Sequence, residues 1–531
     1  MILDHSSTGP IRPFIKVKKM AATALLWCIS MKKRGLHYLL LTCMLLACSS
    51  QILVSPAGNT PTTPVPPTSA AQQAPFNIAW DDYSSFQKRL SSTYQDVPGR
   101  LPGASVYHIS FNISDPPTHI TGVEEVRYTN QETVALDEID FAIFPEILGG
   151  SITVINLTVD NVSTAMVHGT GLMRVPLASH LQPGSSVIFH MGFEITVPTQ
   201  GGDYYYGIFG YNDGILSMAH AYPTILVYNQ QGWNNQVPDL DGDPLFSDTS
   251  FYLVSVNAPE ALVLAASGLE LNRTSEAGRQ QVLYADGPSR DFYLAASTGF
   301  SKQSETVGEL TVNSYAPSDL VSYARSAMKT AETAIADFSR RYAPYPYTEF
   351  NIVPIITSAG GVEFPGLTAV ARNVYNSSNF LEVVVTHEVG HQWFYNLVGN
   401  STQGQPWLDE SLAEFVTWQY YLDEYGPQGA QSYRDEMQGT WNILDDQAIP
   451  IGQPVSAYTS DGYVAIVYGR GPLFMLALRD QMGTEVFDRF MQDYTRSNEW
   501  SIATTTGFEQ LAEQDCSCDL TPLFDAWVFS K

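Results

Sequence analysis

Hydrophobic and polar positions alternate with period two through the first half of the chain and take helical spacing in the second half. From about residue 78 to 305, short alternating runs are separated by turn residues, which is typical of strands with one buried face. The clearest runs are SVYHISFNIS, GVEEVRYTN, EIDFAIFP, SITVINLTV, SSVIFHMGFEITV, SFYLVSVNA and LVLAASG. They predict an antiparallel, β-sandwich-like domain over 78–305.

Helical periodicity dominates from about residue 306 to 531. Ser318 or Asp319 is placed to cap a long amphipathic helix, and EFNIVPII (349–356) predicts a strand. Further helices are predicted from about Phe380, from about Leu408, around 464–482 and up to about Trp527. A β-rich part followed by a helix-rich part predicts an α+β multidomain protein.

The N-terminal segment predicts export. Residues 1–50 form a leader in which a basic start, MKKR from Met31, precedes an apolar run and small residues. LLAC at 45–48 resembles the lipobox of bacterial lipoproteins, in which Cys48 would carry lipid. Residues 51–77 are rich in Pro and Thr and predict an extended linker. We therefore expect a membrane-anchored, extracytoplasmic lipoprotein at the cell surface, or a secreted protein.

Charge and cysteine content narrow the class of protein. The net charge is −27 at pH 7, which argues against a nucleic-acid partner. The acidity is consistent with solubility outside the cell, and also with a field that attracts cationic groups. Cys516 and Cys518 are too few for a disulfide framework, and the sequence leaves open whether they are free or bridged.

The segment THEVGHQWF carries the strongest chemical signal. On a helix, His387 and His391 lie one turn apart on the same face and can bind one metal ion. Glu388 lies about 100° round the helix, where it can reach a water on the metal without binding the metal itself. Glu410 of WLDES, nineteen residues after His391, is the candidate third ligand. The flanking VVVT and WF indicate a buried helix, in which three polar residues need a function.

HEVGHQWFYNLVGN with WLDES resembles the HExxH-x18-E signature of the gluzincin aminopeptidases, the family that includes aminopeptidase N and leukotriene hydrolase. The resemblance covers about residues 100–531. It implies a thermolysin-like, mostly helical catalytic domain, one zinc ion, and peptide substrates with a free N-terminus. With no large helical domain after residue 531, the chain is similar to the short two-domain form.

Two more motifs carry the resemblance. AGGVEFPG (359–366) is similar to the family's GxMEN stretch, which implies that Glu363, with Gly360 and Gly361, binds the substrate's α-amino group. Val362 and Phe364 depart from that pattern and put the shape of the subsite in doubt.

VYGRGPLF (467–474) is similar to YxKG and implies that Tyr468 stabilises the oxyanion, with Arg470 in place of the lysine. Tyr463 and Tyr458 remain rivals for this role. Glu414 is either a hydrogen-bond partner of a metal-binding histidine or a solvated acid.

Two upstream features have simpler explanations. His220, in a segment similar to the part of the family's β domain that meets the active site, is expected to be structural. The acidic loop DLDGDPLFSD (239–248) lacks the glycine and glutamate of a calcium loop at the required positions, and we interpret it as a polar turn.

The sequence thus predicts a zinc aminopeptidase. His387, His391 and Glu410 hold the metal, Glu388 acts as general base, Tyr468 stabilises the oxyanion and Glu363 binds the free amine. Alternatives are an endopeptidase or another hydrolase on the same scaffold, and a surface binding protein without turnover. The sequence does not indicate the oligomeric state or which substrate side chain is preferred.

Overall fold

A computed structural model describes residues 75–199, 206–445 and 448–529. The predicted leader, Cys48 and most of the predicted linker lie outside these ranges. Most of the described chain from Ser105 to Ala316 forms strands, and helices dominate from Val321 onwards. The predicted α+β class, with a sheet-rich part before a helical part, is confirmed. No helix in these ranges combines the length and the apolar character of a membrane span.

The sheet-rich part is built around one eight-stranded sheet. In spatial order its strands are Leu269–Glu276, Arg279–Ser289, Ser250–Pro259, Ser105–Ile113, His119–Thr129, Ser186–Thr196, Ser151–Val159 and Val162–Ser163. One pair differs from the antiparallel prediction, because Ser105–Ile113 runs parallel to Ser250–Pro259. The long intervening chain makes this possible, since parallel neighbours need a crossover connection.

Smaller sheets complete the sandwich. One four-stranded sheet contains Val263–Ala266, Leu294–Ser297, Ile215–Met218 and Phe209–Asn212; another contains Thr224–Ile225, Leu136–Ala142, Leu172–Leu181 and Val167–Gly169; Tyr228–Asn229 pairs with Gly232–Trp233. The rings of Phe141 and Phe189 meet edge to face at 5.1 Å, joining the second of these sheets to the large sheet. The inner faces therefore form one apolar core, as in a β-sandwich.

A five-stranded sheet begins the second part. Its strands, in spatial order, are Ser301–Val307, Leu310–Ala316, Glu349–Ile355, Leu367–Ala371 and Gly361–Phe364. The predicted boundary after residue 305 falls inside the first of these strands, so this sheet starts at Ser301. Val362 and Phe364 pack into the same apolar core as the sandwich. The strand that carries Glu363 is thus fixed against both parts of the protein.

The helices of the second part surround a separate apolar core. The α-helices of the described chain are Ser84–Gln87, Val97–Arg100, Val321–Arg341, Ser378–Gly390, Glu410–Trp441, Ser460–Ala465, Gly471–Met482, Thr484–Ser497, Thr505–Cys516 and Thr521–Trp527; Ile466–Arg470 is a π-helical turn. Short 3₁₀ turns cover Pro75–Asn77, Ser92–Tyr94, Phe144–Glu146, Arg372–Asn376, Pro406–Leu408 and Val455–Ala457. We call Ser378–Gly390 the HEVGH helix and Glu410–Trp441 the WLDES helix.

Three local features correct or extend the predictions from sequence. The predicted cap at Ser318 or Asp319 is wrong, because the helix begins at Val321 without a side-chain cap and Asp319 instead accepts a hydrogen bond from Arg372 at 2.9 Å. The WLDES helix is kinked at Gly426, whose φ of 68° is left-handed, followed by Pro427. Cys516 and Cys518 form a disulfide.

One strand of the large sheet carries a charge in its buried face. In HITGVEEVRYT (119–129) the residues Ile120, Glu124, Val126 and Tyr128 point inwards. Glu124 is 0% exposed, and neither carboxylate oxygen has a hydrogen-bond partner among the described residues. Burial raises the pKa of Glu124 well above its usual value, because the charged form is poorly solvated inside the sheet.

We expect this carboxyl to make stability fall as pH rises. Below the pKa of the unfolded chain, about 4.3, the group is neutral in both states. At higher pH the unfolded state loses the proton first, so the free energy of unfolding falls by about 1.4 kcal/mol per pH unit until the folded group ionises. Glu124→Gln should remove this fall, measured by urea unfolding from pH 4 to 8. Glu125→Gln, on the opposite face, is the matched control, and parallel curves for wild type and Glu124→Gln would refute the expectation.

Candidate active site

Three side-chain atoms from two helices converge on one point. His387 Nε2 lies 3.1 Å from Glu410 Oε2 and 3.1 Å from His391 Nε2, and His391 Nε2 lies 3.5 Å from Glu410 Oε2. All three residues are buried. The structure therefore brings together the three ligands predicted from the sequence.

Close packing of the two helices makes this convergence possible. A Cβ on Gly390 would lie 2.8 Å from Val416 Cγ2 and 3.3 Å from Ala413 Cα, so only glycine permits this approach. The HEVGH helix ends at Gly390, yet His391 keeps helical angles, with φ of −65° and ψ of −12°. It therefore stays on the face of His387, as expected for residues four apart. Glu410 begins the WLDES helix, where Asp409 accepts its backbone N–H at 2.8 Å.

Both imidazoles are oriented by contacts at their second nitrogen. His391 Nδ1 lies 3.0 Å from the carbonyl of Phe394, and His387 Nδ1 lies 3.3 Å from Glu414 Oε1. Glu414 in turn accepts a hydrogen bond from Tyr433 at 2.6 Å and is 6% exposed. It is thus a buried partner of His387 and not a solvated acid. Such contacts fix the ring and direct Nε2 to the common point.

The electrostatics of the three groups are those of a cation site. Burial by itself would raise the pKa of Glu410, but hydrogen bonds with His387 and His391 hold that pKa below its usual value. Burial acts against protonation of His387, yet its contacts with Glu410 and Glu414 raise the pKa of the imidazole well above its usual value. A proton on His387 would offset one of the two carboxylate charges. A metal ion can supply the positive charge instead.

Zinc fits this donor set. Two imidazole nitrogens and a carboxylate oxygen are ligand types of catalytic zinc, and bonds of about 2.0–2.1 Å in a tetrahedron separate ligand atoms by about 3.4 Å. The observed separations are 3.1, 3.1 and 3.5 Å. The three donors leave a fourth position for water or substrate.

Glu388 projects into the pocket beside this triangle. It is 3% exposed, and no described residue hydrogen-bonds to its Oε2. Burial is the main cause that raises the pKa of Glu388 to about 8, with the charge of His387 acting against it. A carboxyl with a pKa near neutrality is suited to exchanging a proton with substrate or water.

The predicted GGVEFPG segment lies directly against Glu388. A Cβ on Gly361 would be 2.3 Å from Glu388 Oε1, so this position must remain glycine for the strand to pass the carboxylate. Gln392 holds the same hairpin by donating to the Phe364 carbonyl at 3.0 Å and accepting the Gly366 N–H at 2.7 Å. The hairpin places Gly360, Gly361 and Glu363 in the wall of the pocket. The ring of Phe364, the residue that departs from the family pattern, stacks on Tyr293.

A loop from the sheet-rich part closes this side of the pocket, and sequence reasoning missed it. Asp243, in the segment interpreted as a polar turn, lines the pocket and accepts a hydrogen bond from Tyr206 at 2.8 Å. Gln403 fixes the loop by donating to the carbonyls of Asp239 and Asp243 at 3.0 and 2.9 Å. Burial first, and the charge of Asp243 next, raise the pKa of Glu363 well above its usual value. The only sequence signal was the density of aspartates in the loop.

Of the three candidate tyrosines, Tyr468 is the one in the pocket lining, whereas Tyr458 and Tyr463 are not. Tyr468 lines the pocket and donates a hydrogen bond to Glu410 Oε1. It lies in the π-helical turn, a feature often found at functional sites. Tyr458 instead donates to the carbonyls of Pro450 and Ile451, and Tyr463 packs edge to face behind Tyr468.

Two other candidates do not line this pocket. His220 Nδ1 lies 2.8 Å from Asp291 Oδ2, and both side chains are buried, in keeping with the expected structural role. The Arg470 guanidinium donates to the carbonyls of Ile449 and Ala526 and lies over the rings of Trp441 and Trp527. Its charge therefore supports the packing of the C-terminal helix.

Comparison with known proteins identifies the same region. Residues 326–527 match the model of the peptidase family M1 domain. Leucine aminopeptidase 2 of Sclerotinia sclerotiorum is 24% identical over 268 residues, covering 46% of this chain and 43% of the relative. Aminopeptidase M1 of Arabidopsis thaliana is 26% identical over 302 residues, covering 53% of this chain and 34% of the relative. The chain thus spans less than half the length of these relatives.

Solved structures share the fold. The M1 zinc metallopeptidase from Deinococcus radiodurans aligns with a TM-score of 0.60 at 18% identity, over 80% of this chain and 93% of that one. A mutant of the same protein, bound to a Tyr-Ser-Ala substrate, aligns with a TM-score of 0.61 over 80% and 94% of the two chains.

Because Glu414 orients His387, we expect Glu414→Gln to weaken zinc binding by about 10- to 100-fold. Retention of zinc against a series of chelator concentrations measures the change. Glu424→Gln removes a charge from an exposed position of the same helix and should bind zinc like the wild type. Equal retention in the wild type and Glu414→Gln would contradict the assigned contact.

Proposed function

We propose that this chain, whose residues 326–527 match the model of the peptidase family M1 domain, is a zinc-dependent aminopeptidase of the gluzincin type that removes N-terminal residues from peptides. The observation that carries the proposal is the arrangement around the metal ligands. A triangle of donor atoms with zinc-like separations is flanked by Glu388 and, further into the pocket, by Glu363 and Asp243.

Each catalytic role follows from position. A zinc ion held by His387, His391 and Glu410 would supply Lewis acidity, which lowers the pKa of a water molecule and polarises a carbonyl. Glu388 accepts the proton of the attacking water and returns it to the leaving amine, because its carboxyl is buried, adjacent and available for hydrogen bonding. Tyr468 donates a hydrogen bond to the carbonyl oxygen as negative charge builds there, a contact worth about 3 kcal/mol.

Two carboxylates favour a substrate with a free N-terminus. Glu363 is buried beside Asp243, and repulsion between their charges is relieved when a cation lies between them. The substrate ammonium is such a cation, and it belongs to the same residue as the scissile carbonyl. Binding there limits cleavage to the first peptide bond.

We predict that the zinc-loaded protein hydrolyses leucyl p-nitroanilide and that acetylation of the leucine amine lowers kcat/KM by roughly 30- to 100-fold, the value of a charged hydrogen bond. An internally quenched peptide with both ends blocked serves as the endopeptidase substrate. Preference for that blocked peptide would overturn the aminopeptidase assignment.

Glu388→Gln is the matched variant for this assay. It keeps the shape of the side chain and removes the base, so we expect kcat to fall by about 10²- to 10⁴-fold with zinc content unchanged. Full activity in this variant would remove Glu388 from the mechanism. Absence of turnover in zinc-loaded wild type would instead favour a surface binding protein.

We also propose that the protein is exported and anchored to a membrane by lipid on Cys48. The support is the basic and apolar leader followed by LLAC, and a Pro- and Thr-rich segment that separates this cysteine from the folded residues.

Expression of the full chain in a bacterial host tests the anchor. The wild type should partition into the detergent phase after Triton X-114 extraction, Cys48→Ser should move to the aqueous phase, and Cys43→Ser should behave as the wild type. A wild-type protein found in the aqueous phase would refute lipidation.

A further inference from the structure

The active-site pocket continues past the metal ligands on the side away from Glu363. Phe380 and Val383 line this extension from the HEVGH helix, and Tyr433, Glu436, Met437 and Thr440 line it from the WLDES helix. The kink at Gly426 makes this possible, because it redirects the second segment of the WLDES helix, and Trp418 ties that segment back by donating to the Ala430 carbonyl at 3.0 Å. We call this extension the distal pocket.

Helix geometry places the distal pocket on a different side of the HEVGH helix from the amine-binding strand. Phe380 and Val383 precede His387 by seven and four residues and share its face, whereas Glu388 faces the Gly361 strand. Tyr433 donates a hydrogen bond to Glu414, which in turn contacts Nδ1 of His387. A peptide with its amine at Glu363 and its first carbonyl at the metal ligands therefore extends its second residue towards the distal pocket.

Glu436 is the charged group of this pocket. Residues 433, 436, 437 and 440 recur at helical spacing, which puts Glu436 on the face of Tyr433, roughly 4.5 Å further along the axis. Glu436 is partly buried, and no hydrogen bond or ion pair joins it to another described residue. Burial first, and the charge of Asp435 next, raise its pKa. Such a carboxylate lacks a cationic partner within the part of the chain that the structure describes.

The walls of the distal pocket beside Glu436 include apolar side chains. Val383 and Met437 are 4% and 2% exposed, and the ring of Phe380 also lines the pocket. An aliphatic stem ending in a cation suits such a lining, because the methylenes contact the walls and the charge reaches the carboxylate. Lysine and arginine have this form, and an acidic side chain would meet repulsion.

We propose that Glu436 is a specificity-determining residue that makes the enzyme prefer peptides whose second residue is lysine or arginine. This inference rests on the proposed aminopeptidase function and concerns the leaving part of the substrate. It assigns no role to Glu436 in the chemical step.

Tripeptides that differ only at the second residue test the inference. Leu-Lys-Ala is compared with Leu-norleucine-Ala, which keeps the stem and lacks the ammonium, by the kcat/KM for release of leucine. We expect the wild type to favour lysine by about 3- to 5-fold, near the upper end for a partly exposed ion pair. Glu436→Gln should bring the ratio close to one, and Glu436→Lys should favour Leu-Glu-Ala over Leu-Gln-Ala.

Matched controls separate the local effect from the overall acidity of the protein. Asp435→Asn removes the same charge from an exposed neighbour and should keep the wild-type ratio. Leu-Ala-Lys and Leu-Ala-norleucine, which carry the difference at the third residue, should give equal ratios in the wild type and Glu436→Gln. Leu-Gly-Ala should be cleaved at similar rates by both, because its second residue has no side chain.

Different results would refute the aminopeptidase function and the role of Glu436. If the wild type cleaves Leu-Gly-Ala but shows no preference for lysine over norleucine, or if Glu436→Gln keeps that preference, the role of Glu436 is refuted and the aminopeptidase function stands. If the zinc-loaded wild type cleaves none of the peptides, the function and the inference fall together.

Discussion

The close approach of two helices at Gly390 determines the rest of the active site. Because no side chain separates Gly390 from Ala413 and Val416, Glu410 at the start of the WLDES helix can reach the two histidines of the HEVGH helix. The same approach brings Glu414, one turn later, to the second nitrogen of His387. A larger residue at position 390 would separate the helices and break both contacts together, so ligand spacing and ligand orientation depend on one packing contact.

The pocket concentrates acidic side chains. Glu363, Glu388, Glu410 and Asp243 are crowded around two histidines, and burial with mutual repulsion raises the pKa of Glu363 and of Glu388. This arrangement costs folding free energy and persists only where other packing supports it. A metal ion at one point and, under the proposed function, an ammonium at another would relieve the repulsion, so the groups that repel one another are those that would select the bound cations.

The metal ligands could be predicted from sequence because one or two helical turns determine their spacing. His387, His391 and Glu388 follow from local periodicity, and Glu410 from the start of the next helix. Asp243 could not be predicted, since it reaches the pocket through a loop fixed by Gln403, about 160 residues away along the chain. Glu436 was missed because the kink at Gly426 that turns it towards the pocket lies inside an otherwise continuous helix. The buried Glu124 breaks the alternation that predicted its strand so well, and alternation cannot show which single position departs from it.

The sheet-rich part contributes to the active site as well as to the scaffold. Asp243 and Tyr206 come from it, and the strand that carries Glu363 packs Val362 and Phe364 into its core. Arg290 fastens the two parts by donating to the carbonyls of Ser247, Asn396 and Ser501 at 2.7–3.0 Å. The segment that matches the family model contains the metal ligands, the base and Glu363, but it contains neither Asp243 nor the core that holds the Glu363 strand. Metal binding can therefore be a property of the helical part alone, whereas the proposed recognition of a substrate amine requires both parts to be folded together.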